Sequence, residues 1–95
     1  MKHYKVPNMG KFKKVIQIAN NQFEIVFEKG RIFQSYNSII AFIPNNRNHK
    51  TQLDDYYWDY SRTTSKYRNE FLGENMQETR NKIKDKTYKL TNLNK

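Results

Sequence analysis

The sequence predicts an α+β domain in which an antiparallel sheet of four to five strands is followed by two short helices packed on one face. Two observations support this fold class. Apolar residues alternate with polar ones in the first half of the chain, and they recur at helical spacing after residue 60. Aromatic residues make up 15% of the 95 residues, too many for a disordered tail, so we expect the chain to fold. A small barrel of the same strands is the alternative. The length suits one domain, assigned to 11–93, after a basic N-terminal arm at 1–10.

Four to five strands are predicted over about 12–53. Phe23, Ile25 and Phe27 recur at every second position and alternate with Glu24 and Glu28, which is typical of a strand with one buried face. The continuous apolar run 39–43 indicates a strand buried on both faces. A short fifth strand is predicted at 49–53. Residues that favour turns separate these strands, namely Asn20-Asn21, Lys29-Gly30 and Asn37-Ser38.

The first helix is predicted over about 62–72. Ser61 or Thr63 suits its N-terminal cap, because a hydroxyl there accepts a hydrogen bond from a free backbone N–H, and Gly73 suits its C-terminal end. Helical spacing divides its side chains between an apolar stripe and a polar, largely basic one. The apolar stripe comprises Tyr60, Thr64, Tyr67 and Phe71, and the other comprises Arg62, Lys66 and Asn69.

The second helix is predicted over about 76–86. Asn75 and Glu78 have the spacing of a capping box, in which each side chain bonds the backbone of the other residue. After this helix, Tyr88 and Leu90 alternate with lysine, which predicts a final strand at an edge of the sheet.

The net charge of +9 is concentrated at the two ends of the chain. Residues 1–14 carry +5, residues 80–95 carry +5, and residues 15–79 carry −1. Such a distribution favours an anionic partner if the ends meet in space, because chain termini often lie close together in small domains. The alternative is that the thirteen lysines serve solubility and reflect the codon usage of an AT-rich genome.

One segment carries a resemblance. Residues 58–73, WDYSRTTSKYRNEFLG, resemble small, largely uncharacterised proteins encoded by phages and conjugative elements of low-GC Gram-positive bacteria. The likeness extends to 35–41 and 78–90, and covers roughly 31–93. It implies a mobile-element origin without an established activity. Small phage proteins of this size often act on host machinery, and anti-CRISPR proteins are among them.

The densest chemical signal lies at 56–68, which interleaves five aromatic residues, three cations and four hydroxyls. Aromatic rings stack on unpaired bases, and cations contact phosphates. Core packing is the alternative for the aromatic residues, and a solvated face is the alternative for the cations. The predicted nucleic-acid contacts are Lys11, Lys13, Lys14, Arg62, Lys66, Arg68, Arg80, Lys82 and Lys84, and the predicted protein-partner contacts are Tyr56, Tyr57 and Trp58.

Enzymatic chemistry finds little support in the sequence. There is no cysteine, and His3 and His49 are far apart, outside any recognised catalytic spacing. Asp54, Asp55 and Asp59 are explained more simply by loop and helix-dipole roles than by a metal ion. We therefore predict a protein that is not an enzyme and that needs neither a cofactor nor a metal.

Two functions follow from these observations. The first is a small basic accessory protein of a phage or mobile element that binds DNA or RNA through its Lys, Arg and aromatic face. The second is a non-enzymatic, anti-CRISPR-like inhibitor of a host defence complex, which acts on a host protein or nucleoprotein. No apolar run is long enough to span a membrane, so we expect the protein to act in the cytoplasm of the host cell. The sequence leaves its oligomeric state open.

Overall fold

The computed structural model describes residues 9–94, which form a six-stranded mixed sheet with two helices on one side. The predicted α+β class is confirmed. Strand order follows chain order, and neighbouring strands are antiparallel except for the last two, which are parallel. The elements are β1 (Phe12–Ala19), β2 (Gln22–Phe27), β3 (Gly30–Ser35), β4 (Ser38–Pro44), β5 (Gln52–Asp54), α1 (Arg62–Leu72), α2 (Met76–Lys84) and β6 (Lys89–Thr91).

Tight turns connect the first four strands close to the predicted places. Asn21 has a φ of 60° in the β1–β2 turn, as its tolerance of the left-handed region predicts. The β3–β4 turn lies one residue earlier than predicted, at Tyr36-Asn37, and Tyr36 has a φ of 55°. Gly30 begins β3 rather than closing a turn. A Cβ atom there would lie 2.5 Å from the Phe42 ring, so this close approach of strand and ring requires glycine.

Each face of the sheet has its own apolar cluster. The helix side buries Phe33, Ile40, Ala41, Leu53, Phe71 and Tyr88. The opposite side buries Met9, Ile32, Ile39, Phe42 and Leu93, with Ile25 and Phe27 packed against them. The apolar face of β2 therefore points away from the helices. On the helix side of β2, Glu24 accepts a 3.1 Å hydrogen bond from Arg31.

Capping defines both helices largely as predicted. The Ser61 hydroxyl accepts from the backbone N–H of Thr64 at 3.1 Å, and Gly73 ends α1 with a φ of 71°. Asn75 and Glu78 form the predicted capping box of α2. This helix ends at Lys84, two residues before the predicted end, because Lys86 adopts a left-handed φ of 69°.

The fifth strand is short and lies at Gln52–Asp54 rather than at the predicted 49–53. The buried Asp54 explains its end. One carboxylate oxygen accepts from the backbone N–H groups of Tyr56 and Tyr57, at 3.1 and 2.8 Å, which turns the chain towards α1. The other accepts from the backbone of Leu93 at 2.8 Å, which holds the end of the chain beside β5.

Two further predictions concern the start of the chain and the membrane. Residues 1–8 of the predicted arm lie outside the described residues, whereas Met9 is buried in the second apolar cluster and so belongs to the domain.

Within the described part of the chain, neither helix has the length and apolar character that a bilayer-crossing helix needs.

Candidate functional site

The outer surfaces of α1 and α2 enclose a shallow, open pocket of about 450 Å³. Its lining, which we call the cationic pocket, draws on both helices and on the residues just before α1. Among the described residues it holds three cationic side chains and one carboxylate. The lining residues are Asp59, Ser61, Arg62, Ser65, Lys66, Asn69, Met76 and Arg80.

The positions of the three cations follow from helix geometry. Arg62 and Lys66 are four residues apart, so they lie on one side of α1. Arg80 comes from α2, which the short connection after Gly73 folds back beside α1. The two helices thus supply cations to the same concave surface, although these residues lie up to eighteen positions apart in the chain.

Arg68 lies fully buried next to this pocket. Its guanidinium donates to the Trp58 carbonyl, to Ser65 Oγ at 3.3 Å and to Asn69 Oδ1 at 2.7 Å, and it lies 5.3 Å from the centre of the Trp58 ring. A contact of 3.5 Å to Met76 Sδ completes this setting. Ser65, Asn69 and Met76 also line the cationic pocket, so Arg68 holds three lining side chains in position from the protein interior.

No carboxylate of residues 9–94 forms an ion pair with Arg68. Burial lowers the pKa of Arg68, and the negative charges of Asp59 and Glu74 act in the opposite direction. A guanidinium stays charged in proteins, because its reference pKa lies so far above neutral pH. The buried charge therefore adds to the positive potential of the three cations at the rim of the pocket, Arg62, Lys66 and Arg80. Neutral acceptors and the Trp58 ring offset part of its cost, while Arg68 Nε has no hydrogen-bond partner among the described residues.

A second charged group, the Glu74 cluster, lies beyond Arg68. The Glu74 side chain is almost buried and accepts from Lys82 Nζ at 2.7 Å, from Tyr88 Oη at 2.7 Å and from Thr79 Oγ1 at 2.5 Å. Burial raises the pKa of Glu74, but these three hydrogen bonds outweigh it, so the pKa is lowered overall. The carboxylate in turn raises the pKa of Lys82.

The predicted nucleic-acid residues separate into five groups. Arg62, Lys66 and Arg80 meet at the cationic pocket, Arg68 is buried beside it, and Lys82 is bound to Glu74. Lys84 is exposed on α2 outside the pocket. Lys11, Lys13 and Lys14 lie at or just before β1, and none of them lines the pocket.

The aromatic residues before α1 have different surroundings. Tyr57 and Trp58 are half-buried and pack against the helix-side cluster. Tyr56 is 72% exposed, and Tyr60 is 45% exposed. Edge-to-face contacts link Tyr56, Tyr57 and Tyr60, with ring centres 4.7 and 5.2 Å apart. The two exposed rings therefore lie in the segment that leads into the cationic pocket.

The sequence prediction missed Tyr60 as a surface residue by placing it on the apolar stripe of α1. The signal was present, since Ser61 caps the helix and Tyr60 therefore precedes it. The burial of Arg68 had no local signal, because it depends on how Trp58 and α2 pack against α1.

The comparisons with known proteins give one match. A model described as a family of unknown function, DUF8033, matches residues 4–88. The chain belongs to the DUF8033 family. No curated protein and no solved structure matches it. The DUF8033 match contains α1, α2 and β1 completely, so both the cationic pocket and the lysines of β1 lie within the family domain.

Proposed function

We propose that this protein binds nucleic acid at the cationic pocket. The observation that carries the proposal is the meeting of Arg62, Lys66 and Arg80 around one concave surface, beside a buried Arg68 without a carboxylate partner among residues 9–94. A phosphate is the ligand that such an arrangement suits, because guanidinium groups bind phosphate oxygens in a bidentate manner and an ammonium adds a point charge.

The wall of the pocket supports a phosphate ligand as well. Ser61 and Ser65 bring hydroxyl groups to the lining, and hydroxyls are common neutral contacts to phosphate oxygens. Asp59 carries the one negative charge of the lining and repels a phosphate. A bound phosphate is therefore expected to lie against the three cations and away from Asp59. Because the pocket is shallow and open, it suits the sugar-phosphate backbone of a nucleic acid better than an enclosed small molecule.

The exposed rings of Tyr56 and Tyr60 favour a single strand over a duplex. Unpaired bases stack on aromatic side chains, whereas the bases of a duplex are already stacked on one another. We place one or two unpaired bases against these rings while the neighbouring phosphates contact the cationic pocket. Whether the strand is DNA or RNA is an outcome of the binding assay.

In this proposal the protein is a non-enzymatic accessory protein of a phage or mobile element that acts in the cytoplasm of the host. The strong exposure of Tyr56 favours one second candidate, an anti-CRISPR-like inhibitor that docks on a host defence complex. Exposed tyrosines are frequent anchors of protein interfaces. A host protein that remains bound at equal stoichiometry after nuclease treatment of a lysate would support this second candidate.

The test compares two lysines in a binding titration with a labelled single strand of about twelve thymidines or uridines. Lys66→Gln removes a rim charge, and Lys84→Gln removes the same charge outside the pocket. We expect Lys66→Gln to weaken binding and to flatten the slope of log affinity against log salt by about 0.7, as the loss of one phosphate contact requires. Equal effects of the two variants, or no binding at 50 mM salt, would refute the proposal.

A further inference from the structure

β1 has an outer edge with no neighbouring strand among residues 9–94. It is eight residues long, whereas β6, at the other edge of the sheet, has three residues. The backbone N–H and C=O groups along a free edge are a template for one further strand. The length of β1 is sufficient for such pairing, and its first six residues are exposed.

The side chains of β1 expose more apolar surface than an edge strand usually shows. Phe12 is 58% exposed, Val15 is 51% exposed and Ile16 is 40% exposed. Phe12 and Val15 pair with Phe27 and Ile25, so they extend the apolar face that points away from the helices. An added strand would cover this apolar border of the sheet as well as its backbone groups.

The charge of this edge restricts what can pair with it. Lys11, Lys13 and Lys14 are all exposed, and β1 has no acidic residue. Lys14 pairs with Val26, which places it on the helix side of the sheet. Lysines on an edge strand oppose pairing with a second copy, since each copy would bring the same three positive charges and no acidic residue of β1 to the shared edge. The same lysines attract an acidic strand.

We propose that the β1 edge binds an extended acidic segment of a partner protein, which adds to the sheet as a seventh strand. Strand addition draws its affinity from backbone hydrogen bonds and its specificity from alternate side chains. The segment would place apolar side chains beside Phe12 and Val15, and acidic side chains beside Lys14 on the other face. This surface is separate from the cationic pocket, so the proposal does not depend on nucleic-acid binding.

The test uses a labelled synthetic peptide of eight residues in which glutamate alternates with valine. We expect it to bind the full chain, and to shift the amide NMR signals of β1 more than those of α1 and α2. The same peptide with every backbone nitrogen methylated keeps its charge but loses its donors, and it should not bind. Equal binding of both peptides would show charge attraction without strand addition and would overturn the proposal.

A charge-reversal pair locates the contact. Lys13→Glu with Lys14→Glu should weaken peptide binding by about tenfold or more. The control, Arg47→Glu with Lys50→Glu, changes the charge equally in the exposed loop before β5 and should leave the affinity nearly unchanged. Thermal melting of both variants verifies that each is folded.

Two other results would assign the edge to a different occupant and refute the inference. One is a dimer in light scattering that the Lys13 and Lys14 variant alters, which would mean that β1 pairs with a second copy. The other is a loss of oligonucleotide affinity in that variant with unchanged peptide affinity, which would make β1 part of the nucleic-acid surface.

Discussion

Arg80 and Lys82 lie two residues apart on α2, yet they belong to regions of opposite electrostatic character. Arg80 lines the cationic pocket, where cations outnumber the carboxylate of Asp59. Lys82 binds the Glu74 cluster, where a nearly buried carboxylate has three donors and the charge is balanced. A step of two residues on a helix turns a side chain to another face, so two cations of one basic run acquire different roles. Under the proposed function the first region binds an external anion, whereas the second stabilises the fold.

The largest loss of stability is expected at Arg68, the buried cation. Arg68→Ala should lower the free energy of unfolding by about 3 kcal/mol, because it leaves a void and removes the donors to the Trp58 carbonyl and Asn69. The exposed Arg62, on the same helix, is the control: Arg62→Ala should change stability by less than about 0.5 kcal/mol. Urea unfolding measures both. Equal losses would mean that burial does not distinguish these two cations.

The Glu74 cluster should also be costly to break. Glu74→Gln replaces a carboxylate by an amide that cannot accept from Lys82, Tyr88 and Thr79 together, and we expect a loss of about 2 kcal/mol in urea unfolding at pH 7. The exposed Glu70→Gln on α1 is the control and should have little effect. If Glu74→Gln left the free energy of unfolding unchanged, the cluster would balance charge without stabilising the fold.

The same carboxylate gives stability a defined dependence on pH. Since the folded state lowers the pKa of Glu74, its contribution is fully present above the unfolded value of about 4.3 and is lost as the pH falls through the folded value. Plots of melting temperature against pH for wild type and Glu74→Gln should therefore converge in acid. Parallel plots down to pH 2 would contradict this assignment.

Tyr88 gives a second dependence at alkaline pH. Burial, together with the hydrogen bond to Glu74, raises the pKa of Tyr88 to about 12, so its contribution to stability is lost as the pH rises from about 10 towards 12.

A smaller effect is expected at the end of α1 that faces the pocket. Ser61→Ala removes the acceptor of the Thr64 N–H and should cost about 1 kcal/mol. Thr63→Ala, which lies inside the helix and is exposed, should cost much less. Thermal unfolding distinguishes them, and a larger loss at Thr63 would place the cap there.

Local chemistry explains which features the sequence could predict. The left-handed Asn21, the Ser61 cap and the Asn75–Glu78 capping box each depend on a few adjacent residues, and the structure has all three. The helical stripe also predicted that Arg62 and Lys66 share a face. Local patterns therefore predicted the order of the elements and two of the three cations at the rim of the pocket.

Contacts between distant segments explain the rest. Arg80 reaches the pocket only because α2 folds back along α1, and Arg68 is buried only because Trp58 and Met76 cover it. The charge of Lys82 is paired with the carboxylate of Glu74, eight residues earlier in the chain. A charge count gives each of these cations the same weight, so the sequence could not separate the cations that line the pocket from those that stabilise the fold.

The central claim is that three cations, and not the whole basic surface, contact the phosphates. Its most direct test is the salt dependence of binding to a single-stranded oligonucleotide. Three contacts predict a slope of log affinity against log salt of about −2, hence a loss of about twentyfold between 50 and 200 mM salt. Replacing Arg62, Lys66 and Arg80 by glutamine together should reduce the slope to nearly zero. A slope of about −4 or steeper, unchanged in that triple variant, would show that the charge elsewhere on the chain binds the strand and would contradict the account.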